Sequence, residues 1–333
     1  MNGAGTRIAG LDALRVLATF GVVFCHVATY PAYSLPDASN PDWLFADYAY
    51  CFSHWPAPAF LMIMGALWAR GGPAVAWTVW KRRLVRILAL TFASSLLYVL
   101  LAVFWFGNFV EQGPLVTLMG GYPFLHLWFL YLAVGLYAVA PVLLRVPRGV
   151  SLVLLALLYA VAIYACWPGR GPVASAFAGL AICGSFVIGI ELQRWPRPKM
   201  WEVFTWAIVF TACGIAASLI GAAWASQGTR GLEYVCAPGY PLMVIMGVAM
   251  FRLCTFIPAW NWLRQLARTT PLIYVLHPLA IQFLVAHQFF GWWEPYAVGV
   301  PVTAIAAFGL SLVAAVLVLA AARWLLARVN LTA

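Results

Sequence analysis

Charge is what this sequence is shortest of. Only 8% of its 333 residues are Asp, Glu, Lys or Arg, while 65% are hydrophobic. Ordinary soluble domains carry about 25% charge, so a water-soluble fold of this size is excluded. Mean hydropathy is +0.93, the value of a chain that lives mostly in lipid. The ten-residue apolar–polar alternation of a membrane barrel is also missing. Long unbroken apolar runs replace it, and in a bilayer such runs are helices, because a helix satisfies its backbone groups internally.

Other absences narrow the class further. The seven cysteines (Cys25, Cys51, Cys166, Cys183, Cys213, Cys236 and Cys254) show no C-x-x-C or other paired metal spacing. They read as small core hydrophobes, and no metal is expected. The first apolar run carries no small-residue cleavage site and leads straight into further runs, so no cleavable signal peptide is expected. There are no repeats, no linkers and no extra soluble domain, and residues 1–333 read as a single transmembrane domain. The formal net charge of +10 would suit nucleic acid, but its distribution argues for membrane topology instead.

Ten spans are predicted, at about 11–30, 48–69, 84–106, 122–144, 149–168, 173–192, 201–224, 236–256, 270–290 and 299–322, each near the length needed to cross a hydrocarbon core. With a cytoplasmic N-terminus, all of the nineteen Lys and Arg except Arg170 and Arg230 fall on or near the inner side. That asymmetry predicts both termini in the cytoplasm and an even number of spans. The fold class is therefore all-α, a polytopic membrane protein of about ten helices, and any chemistry must reside in the bundle and its loops.

The first run, Leu11 to Tyr30, holds two residues that lipid does not favour, Arg15 and His26. Eleven positions at about 100° each bring them to one helix face, roughly 16 Å apart along the axis. Ionisable residues inside a span usually face the bundle interior or a wet cavity. A purely structural role is equally open here, with Arg15 snorkelling to the interface and His26 bonded to a neighbouring helix. His54 lies near the outer end of the second run, beside Pro56 and Pro58, which kink a helix and free backbone groups. Arg83 and Arg86 follow Lys81 and Arg82 at helical i, i+3 spacing on the inner side. Guanidinium forks at that spacing suit phosphate oxygens, although any inner loop attracts Lys and Arg. Glu111 stands in the outer loop before the fourth run and is placed to orient a histidine. His126, Trp128 and Tyr131 follow, at a depth similar to His26. Trp and Tyr there are also ordinary interfacial anchors. His277 lies near mid-span in the ninth run, next to Pro278; a lone mid-helix histidine is more often a satisfied core partner.

Five segments occur in a characteristic order. Gly10-Leu11-Asp12-Ala13-Leu14-Arg15, continued by Ala18 and by His26, is similar to an "LDGLRxLA" opening with an Arg-x10-His pair. Phe60 to Leu67 is similar to "FFxLSGxL", with Met64 where serine is usual. Arg83 to Arg86 forms an R-x-x-R. His126 to Leu130 reads HLWFL. Pro271 to Pro278 is similar to "FGIYLIHPL". As an ordered set these resemble the acyltransferase-3 family of integral membrane O-acyltransferases. The resemblance implies transfer of an acetyl group from cytoplasmic acetyl-CoA to a hydroxyl of a cell-envelope glycan or lipid-linked sugar, in a bacterial-type inner membrane. It implies His26 as base or as acyl carrier, Arg15 against the donor, and Arg83 and Arg86, with Arg82 and Lys81, at the CoA phosphates. His126 would shape the outer side of the site, with Trp128, Tyr131, Glu111 and His277 towards the acceptor. The expected partners are thus the acyl-CoA donor, the saccharide acceptor and membrane lipids, with no nucleic acid. Met64 puts any role of the usual serine hydroxyl in doubt. A transporter or flippase of a polar or lipid-linked substrate is the alternative, since it too needs polar residues along a wet path; no inverted repeat supports it. A sensor or scaffold without turnover is the third possibility.

Overall fold

A computed structural model describes residues 9–34, 41–71, 77–104, 125–165, 180–196, 198–225, 235–289 and 295–331. Glu111 lies outside the described residues. Every regular element among them is helical: α1 (Ala9–Ser34), α2 (Pro41–Phe52), α3 (Pro56–Ala69), α4 (Trp77–Phe104), a 3-10 turn (Leu125–Leu127), α5 (Trp128–Leu143), α6 (Arg148–Ala165), α7 (Gly184–Leu192), α8 (Glu202–Ala225), α9 (Pro241–Cys254), α10 (Asn261–Ala286) and α11 (Tyr296–Leu331).

Among the described residues, five helical stretches are long and apolar enough to cross a membrane: Gly10–Ala32, Trp77–Ala102, Glu202–Trp224, Asn261–Ala286 and Tyr296–Leu325. Shorter apolar helices, Trp128–Leu143, Arg148–Tyr164 and Pro241–Cys254, occupy three more of the ten expected positions. The second expected span, 48–69, is not one helix. It breaks at Ser53–Trp55, and Pro56 opens α3 at its first turn. Proline is favourable at a helix start, where its missing N–H has no intrahelical partner to lose. The break leaves His54 on the short connector between α2 and α3.

Helix α1 is the hub. It packs on α2, α3, α9, α10 and α11, and Leu14, Ala18, Val23, Val27 and Ala28 are fully buried along it. Its many neighbours explain why polar groups on it meet protein rather than lipid. The tightest crossing joins α3 to α7. A Cβ on Gly65 would lie 1.9 Å from the Phe186 carbonyl oxygen, and one on Gly189 would lie 2.1 Å from that of Met62. Only glycine allows two backbones to approach so closely. Helices α6, α8 and α11 instead expose apolar side chains such as Leu157, Phe204, Ile208 and Leu317, as lipid-facing walls require.

One end of the bundle is braced by ion pairs. Glu191 is bonded to Arg194 and to Arg148 at 2.9 Å, tying α7 to the start of α6. Buried Arg252 donates to the Glu202 carboxylate at 3.2 Å and to the Pro196 carbonyl at 2.9 Å.

Candidate functional site

Three prolines inside two helices, α5 and α10, set up the polar interior. A helical carbonyl normally accepts the N–H four residues on, and proline has none. Pro141 thereby frees the Tyr137 carbonyl, which accepts the Trp80 indole N–H at 3.0 Å. Pro271 frees the Ala267 carbonyl, which accepts the Thr270 hydroxyl at 2.9 Å. Pro278 frees the Tyr274 carbonyl, and His277 Nδ1 lies 2.7 Å from it.

That last contact decides a tautomer. A carbonyl only accepts, so His277 Nδ1 carries the hydrogen and, in the neutral ring, Nε2 carries the lone pair. His277 Nε2 lies 2.8 Å from His26 Nδ1. His26 Nδ1–H therefore donates to it, and neutral His26 is left with its lone pair on Nε2. The hydrogen-bond relay runs from backbone to His277 to His26. His277 is fully buried among α1 and α10, and its ring stands 5.4 Å centroid to centroid from that of His126. The three histidines thus converge from the first, fourth and ninth apolar runs. The Tyr274 hydroxyl adds a further tie by donating to the His126 carbonyl.

His26 lines a small cavity of about 120 Å³, together with Cys25, Ser53, His54, His126, Trp128, Pro238 and Tyr274. A second cavity of about 370 Å³ shares Phe60, Phe129 and Tyr274 with it and is lined by Arg15, Arg268, Met64 and Tyr137. A third, about 310 Å³, shares Leu67, Ile87, Leu90 and Tyr137 with the second and is bordered by Arg83 and Arg86. The row of three runs from the histidines to Arg83 and Arg86, and its shared walls are mostly apolar. Arg15 is half-buried and held by Asp12 at 3.1 Å. Arg83 lies over the Trp68 ring at 4.6 Å.

The other residues singled out in the sequence fall as follows. His126 and Trp128 line the small cavity with His26. Tyr131 faces α4 instead, its hydroxyl 2.8 Å from Ser95 Oγ. His277 stands behind His26 and does not line the cavity. Lys81 and Arg82 are exposed, with Lys81 6.0 Å from the Trp77 ring centre. Met64, at the usual serine position, borders the Arg15 cavity. Sequence reading passed over Cys25, Tyr274 and Arg268 and gave His54 no role. The signal for His54 was present, since it shares the depth of His26 and His126. Arg268 was hidden among inner-side charges, where topology alone accounts for an arginine.

Among the described residues no cluster of His, Cys, Asp or Glu has the geometry to hold a metal ion. The arrangement offers a lone-pair imidazole nitrogen at one end and guanidinium groups at the other, with shared, mostly apolar walls between the cavities. A family model described as an acyltransferase domain, acyltransferase-3, matches residues 8–320. No curated protein and no solved structure matches the chain.

Proposed function

The chain belongs to the acyltransferase-3 family and is a membrane acyltransferase, and from that premise we propose that it moves an acetyl group from acetyl-CoA to a saccharide hydroxyl of the cell envelope. The observation that carries this reading is the relay that leaves His26 Nε2 unprotonated on the wall of the small cavity. Acyl transfer to an alcohol needs a group to take the hydroxyl proton as the oxygen attacks. His26 Nε2 is that group. His277 and the Tyr274 carbonyl fix its tautomer, much as a carboxylate fixes the imidazole in a hydrolase triad.

The row of cavities supports a donor that reaches the histidines from the inner side. CoA carries a diphosphate and a 3′-phosphate, and Arg83 and Arg86 stand where the row opens between α3 and α4. Charge-assisted bonds from guanidinium to phosphate would hold the nucleotide there. The pantetheine arm would run past Met64 and Tyr137, and Arg15 and Arg268 would engage polar groups along it. The histidine-lined cavity, about 120 Å³, is the smallest of the three and accommodates a short acyl group such as acetyl. The acceptor would enter from the opposite side, past His126 and Trp128, and an inner-membrane setting would give it lipid-linked or periplasmic sugars.

The test is acetyl transfer by the purified full-length protein in lipid nanodiscs, with labelled acetyl-CoA and envelope glycan fragments. Wild type should transfer label, and His26→Gln should lose at least about 10²-fold in turnover while donor affinity stays within a few-fold. Gln keeps polarity and approximate size but cannot act as a base. Near wild-type transfer by purified His26→Gln at saturating donor would return His26 to a packing role.

A further inference from the structure

Two buried cysteines meet at the outer end of the bundle, as the charge asymmetry orients it. Cys51 Sγ lies 2.8 Å from Cys236 Sγ, although 185 positions separate them in sequence. Non-bonded carbons pack at about 3.5–4.0 Å, and sulfur is larger than carbon, so the pair stands inside ordinary contact. A disulfide is about 2.05 Å long, and closing the remaining gap takes a shift of under about 1 Å. Cys51 sits near the end of α2, and Cys236 lies just before α9. In the expected topology the second and eighth apolar runs both begin on the outer side, and these cysteines stand at those beginnings. Outside a bacterial-type inner membrane the compartment is oxidising, and disulfides persist there. The competing arrangement is a pair of thiols, with Cys236 S–H directed to Cys51 and Cys51 S–H to the Asp47 carboxylate at 3.9 Å.

We propose that Cys51 and Cys236 are joined by a disulfide that clamps the wall of the histidine-lined cavity. Ser53 and His54 follow Cys51 across the break between α2 and α3, and Pro238 follows Cys236. All three line that cavity with His26. The bond ties the two stretches together a few residues from the lining side chains. It forms by thiol–disulfide exchange. The thiolate of one cysteine attacks the disulfide of a thiol–disulfide oxidant in the outer compartment. The other cysteine then displaces that oxidant from the mixed disulfide. The two cysteines lose two electrons, and the oxidant's disulfide is reduced. The two thiol hydrogens end on the two sulfurs of the reduced oxidant. Cys51 is fully buried and Cys236 is 2% exposed, so the exchange takes place as the chain folds, and the finished bond is shielded from reductants.

The test is a thiol census on full-length protein purified from cells with an oxidising outer compartment. The protein is denatured in a maleimide without reductant, digested, and analysed by peptide mass spectrometry. The Cys51 and Cys236 peptides should appear linked, and the other five of the seven cysteines should carry maleimide. Reduction after denaturation should release both peptides. Cys236→Ala should leave Cys51 open to maleimide. Wild type made in cells that lack the outer thiol–disulfide oxidant should carry seven free thiols. It should also unfold at a midpoint lower by about 5 °C or more in detergent. Because the sequence is the same in the two preparations, that shift reports the bond and not lost packing. The double variant Cys51→Ala/Cys236→Ala should have one midpoint whichever cells produce it. Seven free thiols in protein from the oxidising cells, or Cys51 linked to a different cysteine, overturn the inference. A linked pair whose midpoint equals that of the reduced protein overturns the clamp. The acetyltransferase reading is judged separately by the transfer assay above, because no step of it uses either sulfur.

Discussion

His26 on α1 and His277 on α10 meet nitrogen to nitrogen at 2.8 Å, although 251 positions separate them in sequence. The contact has a direction, because the carbonyl freed by Pro278 has already claimed the other hydrogen of His277. A histidine that resembles a satisfied core residue thus sets which nitrogen of its neighbour is basic.

With His26 as the proposed base, His277 would be a positioning residue. His277→Phe removes the acceptor for His26 Nδ1–H while keeping an aromatic ring in the buried site. Turnover should fall by about 10²-fold, the scale of a misplaced acid–base group. The Michaelis constant for the donor should change little, since the arginine end of the row is untouched. Steady-state kinetics with varied acetyl-CoA measure both quantities. Equal losses of donor affinity and turnover would instead mark a general disruption of the α1–α10 contact.

Arg83 and Arg86 border the innermost cavity. Replacing both with Ala should weaken CoA binding, with Lys81 and Arg82 still present to support insertion. Each lost charge-assisted bond should cost about 1.5–3 kcal/mol, about tenfold or more in Kd per residue. Arg268→Ala, on the wall of the middle cavity, should weaken binding as well. Calorimetry with CoA in detergent checks all three, and unchanged affinity in the double variant would assign these arginines to topology alone.

Gly65 is a packing prediction independent of chemistry. Its missing Cβ would fall against backbone of α7, which cannot rotate away. Gly65→Ala should destabilise the protein by about 1–3 kcal/mol or more, the range for overpacking a tight contact. Gly135→Ala on α5 is the matched control, since nothing lies within 4 Å of its would-be Cβ, and it should be close to neutral. Thermal unfolding in detergent compares them, and equal midpoints would contradict the close α3–α7 crossing.

Topology is tested most directly at the two ends of the charge asymmetry. Reporter fusions at Ala333 should be active in the cytoplasm, and fusions near Asp42 should be active outside. A C-terminal reporter active only outside would defeat the even number of spans.

How much of this was legible from sequence follows from the range of each interaction. Class, helicity and the apolar runs are properties of neighbouring residues, so hydropathy alone yields them. Arg15 and His26 share a face because helical periodicity is local, and the ordered segments from Gly10 to Pro278 carried the family. The break between α2 and α3 was half visible: Pro56 and Pro58 signalled it, yet continuous hydropathy across residues 48–69 favoured one helix.

What the tertiary structure decided is which side chains meet. Hydropathy placed His26, His54, His126 and His277 at depths but could not say that His277 stands behind His26, that His54 faces Cys25, or that Tyr131 turns towards Ser95. Those meetings depend on how α1 seats against α3 and α10 and how α5 seats against α4, and no local pattern encodes the rotation of one helix against another. The tautomers needed the same information, because a ring nitrogen gives or receives according to the atom opposite it. The sequence alone determined a membrane acyltransferase of this family. The packing of α1 against α10 decided which nitrogen of His26 carries the lone pair, and the carbonyl released by Pro278 is the physical reason.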